Sequence, residues 1–113
     1  MSKFDEKVAQ YKKFMDDKGL KYNADLLQAV TKGLGPSIYK RDAETVSGSD
    51  PKELETVKKN FLIKKLGLSD DAKLDAAIAD VVEKIGKSER SKYRAVVYYM
   101  LAVHFGKESI YGM

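Results

Sequence analysis

Tyr93-Arg94-Ala95-Val96-Val97-Tyr98-Tyr99-Met100-Leu101-Ala102-Val103-His104-Phe105 is apolar on nearly every side when wound as a helix. Its β-branched residues would also suit a strand, but about a dozen residues without a turn signal favour a helix surrounded by other helices. Such a segment needs partners on all sides, and the rest of the chain is read as supplying them.

Working back from that run, glycines and capping residues recur at helix-length intervals. Leu74, Ala77, Ile78, Val81, Val82 and Ile85 form one apolar face, with Ser69 or Asp70 as its expected cap and Gly86 as its stop. Asp50 as N-cap, Pro51 at the first helical position and Glu53 three residues after the cap predict a capping box. That helix would carry Leu54, Val57, Phe61, Leu62 and Leu66 inward and end at Gly67. Asn23 is expected to cap a short helix bearing Leu26, Leu27 and Val30, which closes near Gly33. Phe4, Val8, Tyr11, Phe14 and Met15 predict a first helix over Lys3 to Lys18, with Ser2 as cap and Gly19 as stop.

Two stretches break the pattern. Gly33-Leu34-Gly35-Pro36-Ser37 lacks the glycine spacing and the Lys-Ser or Lys-Thr ending of a phosphate-binding loop. It is expected to be a packed corner that brings Ile38 and Tyr39 inward. Asp42 to Ser49 has Val46 as its one large apolar residue and ends in Ser47-Gly48-Ser49, so an exposed loop is expected there. The predicted fold is therefore all-α: a compact single-domain bundle of about five helices over residues 1–113, with an apolar central fifth helix.

Composition bounds the function. At 113 residues, with 43% hydrophobic and 34% charged residues, the chain can close one core and is not of disordered type. With no cysteine, disulfides, thiolate metal sites and a thiol nucleophile are excluded. The start is charged and no run approaches the roughly 18 to 20 apolar residues of a spanning helix, so no leader or membrane span is expected and a reducing cytoplasm is the expected compartment. The net charge of +4 is modest for a dedicated nucleic-acid binder. It is unevenly distributed: Leu68 to Gly86 carries about −3 and Lys87 to Met113 about +3.

Thr31-Lys32-Gly33-Leu34-Gly35-Pro36-Ser37-Ile38-Tyr39, Asn60-Phe61-Leu62-Ile63-Lys64-Lys65-Leu66-Gly67-Leu68 and Lys92-Tyr93-Arg94-Ala95-Val96-Val97-Tyr98-Tyr99 are together distinctive. The chain resembles the small bacterial family catalogued as domain of unknown function 2853, from the first helix to the closing Gly106-Lys107-Glu108-Ser109-Ile110-Tyr111. The resemblance implies a compact helical fold and a bacterial source. It implies no activity and no catalytic residues.

The most pointed chemical feature is Arg90, Lys92 and Arg94 near the start of the fifth helix, where the helix end already carries about half a positive charge. With a hydroxyl from Ser88 or Ser91, these cations form a candidate site for a phosphate or carboxylate. The competing expectation is that Glu89 and acids of the fourth helix, such as Asp80 or Glu83, neutralise them as surface pairs. Arg94→Ala separates the two: an anion site loses affinity, whereas an internally paired Arg94 loses stability.

Lys40, Arg41, Lys58, Lys59, Lys64 and Lys65 suggest a basic face, but Glu53 and Glu55 lie one or two turns earlier, so a mixed solvated surface is expected and nucleic acid is not favoured as a partner. His104, the single histidine, cannot assemble a zinc site and is expected to meet carbonyls at the helix end. Asp70, Asp71 and Asp75 lack the spacing of a calcium loop. Tyr98 and Tyr99 point about 100° apart on a helix; core filling is their common fate, and partial exposure of one would suit self-association. No catalytic set, metal or cofactor is implied. The expected function is a non-enzymatic binding or protein-interaction module, with a homodimer or another protein as partner; the alternative is weak nucleic-acid or phosphate-ligand binding through the basic helix start.

Overall fold

The computed structural model describes residues 3–48, 50–86, 89 and 92–112. Helix α1 (Lys3–Asp17) buries Val8, Tyr11 and Met15 on one face. Helix α2 (Ala24–Gly33) is capped as predicted: the Asn23 side chain accepts from the Leu26 amide at 3.1 Å. Leu26, Leu27 and Val30 face inward, and buried Thr31 returns its hydroxyl to the Leu27 carbonyl at 2.7 Å, so no polar group is stranded.

A 3₁₀ turn at Gly35–Tyr39 makes the expected corner. Gly35 has φ +64°, a left-handed conformation that a side chain would strain, and Pro36 opens the turn. Ile38 is buried as expected. Tyr39 is not: it is 47% exposed, because the tight turn aims consecutive residues in different directions.

The expected loop over Asp42 to Ser49 is corrected. Helix α3 (Arg41–Glu44) forms a single turn, Thr45 bridges antiparallel to Tyr93, and the Val46 amide donates to the Lys92 carbonyl at 2.8 Å. Val46 joins the core at 2% exposure. Gly48 lies so close to the core that an added Cβ would stand 2.9 Å from Val82 Cγ1 and 3.0 Å from Lys92 Cε. One apolar residue is enough to seat this segment because tertiary bonds also hold its side chains: the Tyr11 hydroxyl donates to the Glu44 carboxylate at 2.7 Å, and Lys7 pairs with the same carboxylate oxygen at 2.7 Å.

Helix α4 (Pro51–Val57) starts at Asp50, whose carboxylate accepts from the Lys52 amide at 3.0 Å. The reciprocal half of the capping box is absent. The Asp50 amide donates to the Ser47 carbonyl at 3.4 Å, and the Glu53 carboxylate is drawn away to Arg94. From α4 the chain widens into a π-helical turn at Lys58–Ile63, marked by Lys64 amide to Lys59 carbonyl and Leu66 amide to Phe61 carbonyl bonds at 3.1 and 2.9 Å. No proline or glycine lies in Lys58–Ile63 to force it. The widened turn buries the adjacent Phe61 and Leu62 together, with Phe61 stacked on Tyr98.

Helix α5 (Ala72–Ile85) has Asp71 as its cap, accepting from Lys73 at 2.7 Å, rather than Ser69 or Asp70. Asp70 instead pairs with Lys58 at 3.0 Å. All six predicted apolar residues of α5 are buried.

Helix α6 (Arg94–His104) is the central element: Val96, Leu101 and Ala102 are fully buried, and it packs against α1, α2, α3 and α5. Its cap position is Tyr93, with no side-chain capping bond. Ser88 and Ser91, which precede it in the sequence, lie outside the described residues. A closing 3₁₀ turn at Glu108–Tyr111 rests on α2. Among the described residues there is no strand, and a single apolar cluster draws on every α-helix except the short α3. The radius of gyration of 13.0 Å matches the roughly 13 Å of one compact domain of this length.

Candidate functional site: a cationic cleft beside Arg94

Arg94 opens α6 just after the Thr45 to Tyr93 bridge, so its side chain is launched from a fixed backbone into the space between α3 and α4. Its Nε donates to the Ala43 carbonyl at 2.7 Å, Nη1 to the Tyr98 hydroxyl at 3.1 Å, and Nη2 to Glu53 Oε1 at 2.5 Å. The guanidinium carries five N–H groups, so each Nη retains one further donor. The Arg94 side chain is only 13% exposed and that of Glu53 28%. Burial disfavours the charge, but the bonds to Tyr98 and Glu53 outweigh it and hold the Arg94 pKa above its ordinary value.

This arrangement decides the neutralisation of Arg94 in favour of a partner the sequence does not suggest. Glu89 pairs with Lys18 at 2.7 Å and Asp80 with Lys84 at 3.2 Å; the acid that meets Arg94 is Glu53, 41 residues away. Lys92 is buried, with its ammonium donating to the Glu89 carbonyl. Ser88, Arg90 and Ser91 lie outside the described residues, so Lys92 and Arg94 are the two proposed anion ligands whose placement is given, and they turn to different partners.

Arg94 also lines an open cleft of about 270 Å³ between the end of α2, the 3₁₀ corner and the π turn. Three rings contribute. Tyr98 stacks on Phe61 with centroids 4.0 Å apart and planes 14° from parallel, which fixes both rings. Tyr111 adds the third, and Lys65 Nζ sits 5.5 Å from its centroid. Burial, with Tyr98 nearby, pushes the Tyr111 phenol up to about 12, so it is a neutral hydroxyl at physiological pH.

The polar lining is Ser37, Asn60, Lys65 and Arg94. Ser37 donates its proton to the Leu34 carbonyl at 2.9 Å and keeps oxygen lone pairs for accepting. Asn60 is brought to the cleft by the π turn, and among the described residues neither its amide nor the Lys65 ammonium has a hydrogen-bond or ion-pair partner. The lining contains two cations and no acid.

The family described as "Protein of unknown function (DUF2853)" matches residues 9–109. The chain belongs to that family. The DUF2853 match takes in Ser37, Asn60, Lys65, Arg94 and Tyr98, and stops just short of Tyr111. No curated protein matches the chain.

Elsewhere, Tyr98 and Tyr99 both turn inward, at 8% and 5% exposure, so neither supplies the exposed aromatic row that would suit self-association. The Tyr99 hydroxyl accepts the Asn23 amide at 2.7 Å and pins the α2 start to α6. His104 is exposed, edge-on to Phe105 with centroids 5.0 Å apart, and makes none of the expected carbonyl bonds among the described residues. The basic face is broken up: Lys58 lies between Asp70 and Asp75, and Lys59 pairs with Glu55. Among the described residues, no group of three or more His, Asp or Glu is placed to hold a metal and no helix is long and apolar enough to cross a membrane.

The cleft is missing from the sequence reading, although Asn60, Lys65 and Arg94 all lie in the segments that carry the family resemblance. The one usable signal was Arg94 itself, a lone cation in an apolar run. Its neighbours come from elements whose meeting no local pattern encodes.

Proposed function

We propose that this DUF2853 member is a non-enzymatic binding module whose ligand occupies the cleft beside Arg94. The observation that carries the reading is a concave site with a rigid aromatic floor in which Asn60 and Lys65 have no hydrogen-bond or ion-pair partner in the described protein. A binding site needs such a combination: fixed apolar walls for contact area and a few uncommitted polar groups for orientation. Covalent catalysis by a serine paired with a histidine has no support here, since the single histidine stands outside the cleft lining. The alternative, a nucleic-acid or phosphate site across the helix start and nearby lysines, is weakened by the acids that already occupy Lys58 and Lys59. The absence of cysteine and the family resemblance fit a role in a bacterial cytoplasm, carried out by one domain.

The test is an amide-resolved NMR titration of the full chain with a fragment set spanning neutral, cationic and anionic compounds. Binding at the proposed site shifts amides at 33–35, 37, 60–65, 94–98 and 111. Saturable shifts confined to other surfaces, or none with any compound, refute the reading.

A further inference from the structure

We propose that the cleft selects a small monoanion built on a single aromatic ring with a short acidic arm, an arylalkanoate in chemical terms. This rests on the cleft being the binding site and adds the chemistry of its ligand.

Charge sets the sign. Arg94 and Lys65 line the cleft, and Glu53, held on Arg94 at 2.5 Å from outside the lining, cancels one of them. One net positive charge is left facing the space, on the exposed Lys65. Each Arg94 Nη has an N–H left over after its bonds to Tyr98 and Glu53. A carboxylate suits these groups, since its two oxygens can accept from a guanidinium and an ammonium at once. Asn60, in the same lining, adds amide donors that a carboxylate can also accept from.

Shape sets the rest. About 150 Å³ encloses one benzene ring, so the 270 Å³ of this open cleft is room enough for a ring with a short acidic arm. Val30, Leu34, Phe61 and Tyr111 give that ring apolar walls. The neutral Tyr111 hydroxyl does not repel the anion. Two other grooves lack this combination. In the groove of about 320 Å³ at Pro51 and Leu54, Lys58 is already held by Asp75. The groove of about 170 Å³ at His104 and Tyr99 holds a second cation, Lys21, beside the Lys84 that pairs with Asp80, but it is smaller than this cleft and has no guanidinium in its lining.

The full chain is titrated with phenylacetate, its neutral isostere phenylacetamide, and acetate, following amides at Ser37, Asn60, Lys65 and Tyr98. The proposal expects saturable cleft shifts with phenylacetate, affinity for phenylacetamide at least tenfold lower, and no saturation with acetate over the same range. Lys65→Gln, at an exposed position that leaves the core untouched, is expected to weaken phenylacetate about tenfold, the value of one charge-assisted bond, and to weaken phenylacetamide by less, because its carbonyl carries no charge. Equal binding of phenylacetate and phenylacetamide, or an unaltered phenylacetate affinity in Lys65→Gln, overturns the anion assignment. Acetate binding as tightly as phenylacetate overturns the ring. In either case, cleft shifts with other fragments leave the binding-module reading standing; silence of the cleft toward every compound removes both.

Discussion

Replacing Arg94 with alanine removes three bonds at once and leaves Glu53 as a partly buried carboxylate without its cation. Breaking a fully buried ion pair from one side costs about 3–5 kcal/mol. Here the Glu53 side chain keeps 28% of its exposure, so water takes up part of the loss and about 2–3 kcal/mol is expected. A domain of this size gains roughly 0.24 kcal/mol per degree of unfolding entropy, which converts the loss to a Tm drop of about 8–13 °C. Total stabilities are about 5–15 kcal/mol, so the variant should still fold. Thermal and urea unfolding followed by circular dichroism give the number, and a double-mutant cycle with Glu53→Gln isolates the pair. Glu53→Gln alone should cost about 1 kcal/mol, and the double variant should fall short of the sum by about 1 kcal/mol or more. Strict additivity, or a loss below about 0.5 kcal/mol in Arg94→Ala, would show that the guanidinium is not a structural clamp between α3, α4 and α6.

Further outcomes follow from other contacts. Gly48→Ala should destabilise the chain by about 1–2 kcal/mol in urea unfolding, because its new Cβ would press on Val82 inside the core; wild-type stability would mean that the Asp42 to Ser49 segment is not seated there. The same substitution should act differently at two neighbouring glycines: Gly35→Ala, at φ +64°, loses about 1 kcal/mol, whereas Gly33→Ala, with ordinary φ and a 3.6 Å contact to Tyr111, is neutral or gains up to about 0.5 kcal/mol. Burial, then the hydrogen bond to Glu44, raise the Tyr11 phenol far above 10, so the unfolded chain releases that proton near pH 10 while the folded chain keeps it. The Tyr11 contribution is therefore intact below pH 10 and shrinks above it by about 1.4 kcal/mol per pH unit. Tyr11→Phe, weaker by about 1 kcal/mol at pH 7, should overtake the wild type between pH 10 and 12, and parallel stability curves for the two would contradict the assignment.

The amino-acid order alone determined the helices and most of what they bury. Stripes such as Leu74, Ile78, Val81 and Ile85, the cap at Asn23, and the stops at Gly19, Gly67 and Gly86 are visible because helix formation couples residues three or four apart, a distance that pattern reading spans. The apolar run from Tyr93 to Phe105 marked the central helix for the same reason. Three features belong to the tertiary structure. Val46 is buried because Lys92 and Tyr93 offer an edge to its segment, the π turn arises where Phe61 must reach Tyr98, and Glu53 leaves its own helix cap for Arg94. Each turns on a partner some 37 to 48 residues away, and which distant groups meet is settled by how the helices pack rather than by any local period. The cleft is made entirely of such meetings, which is why its cations were legible as residues while its shape was not.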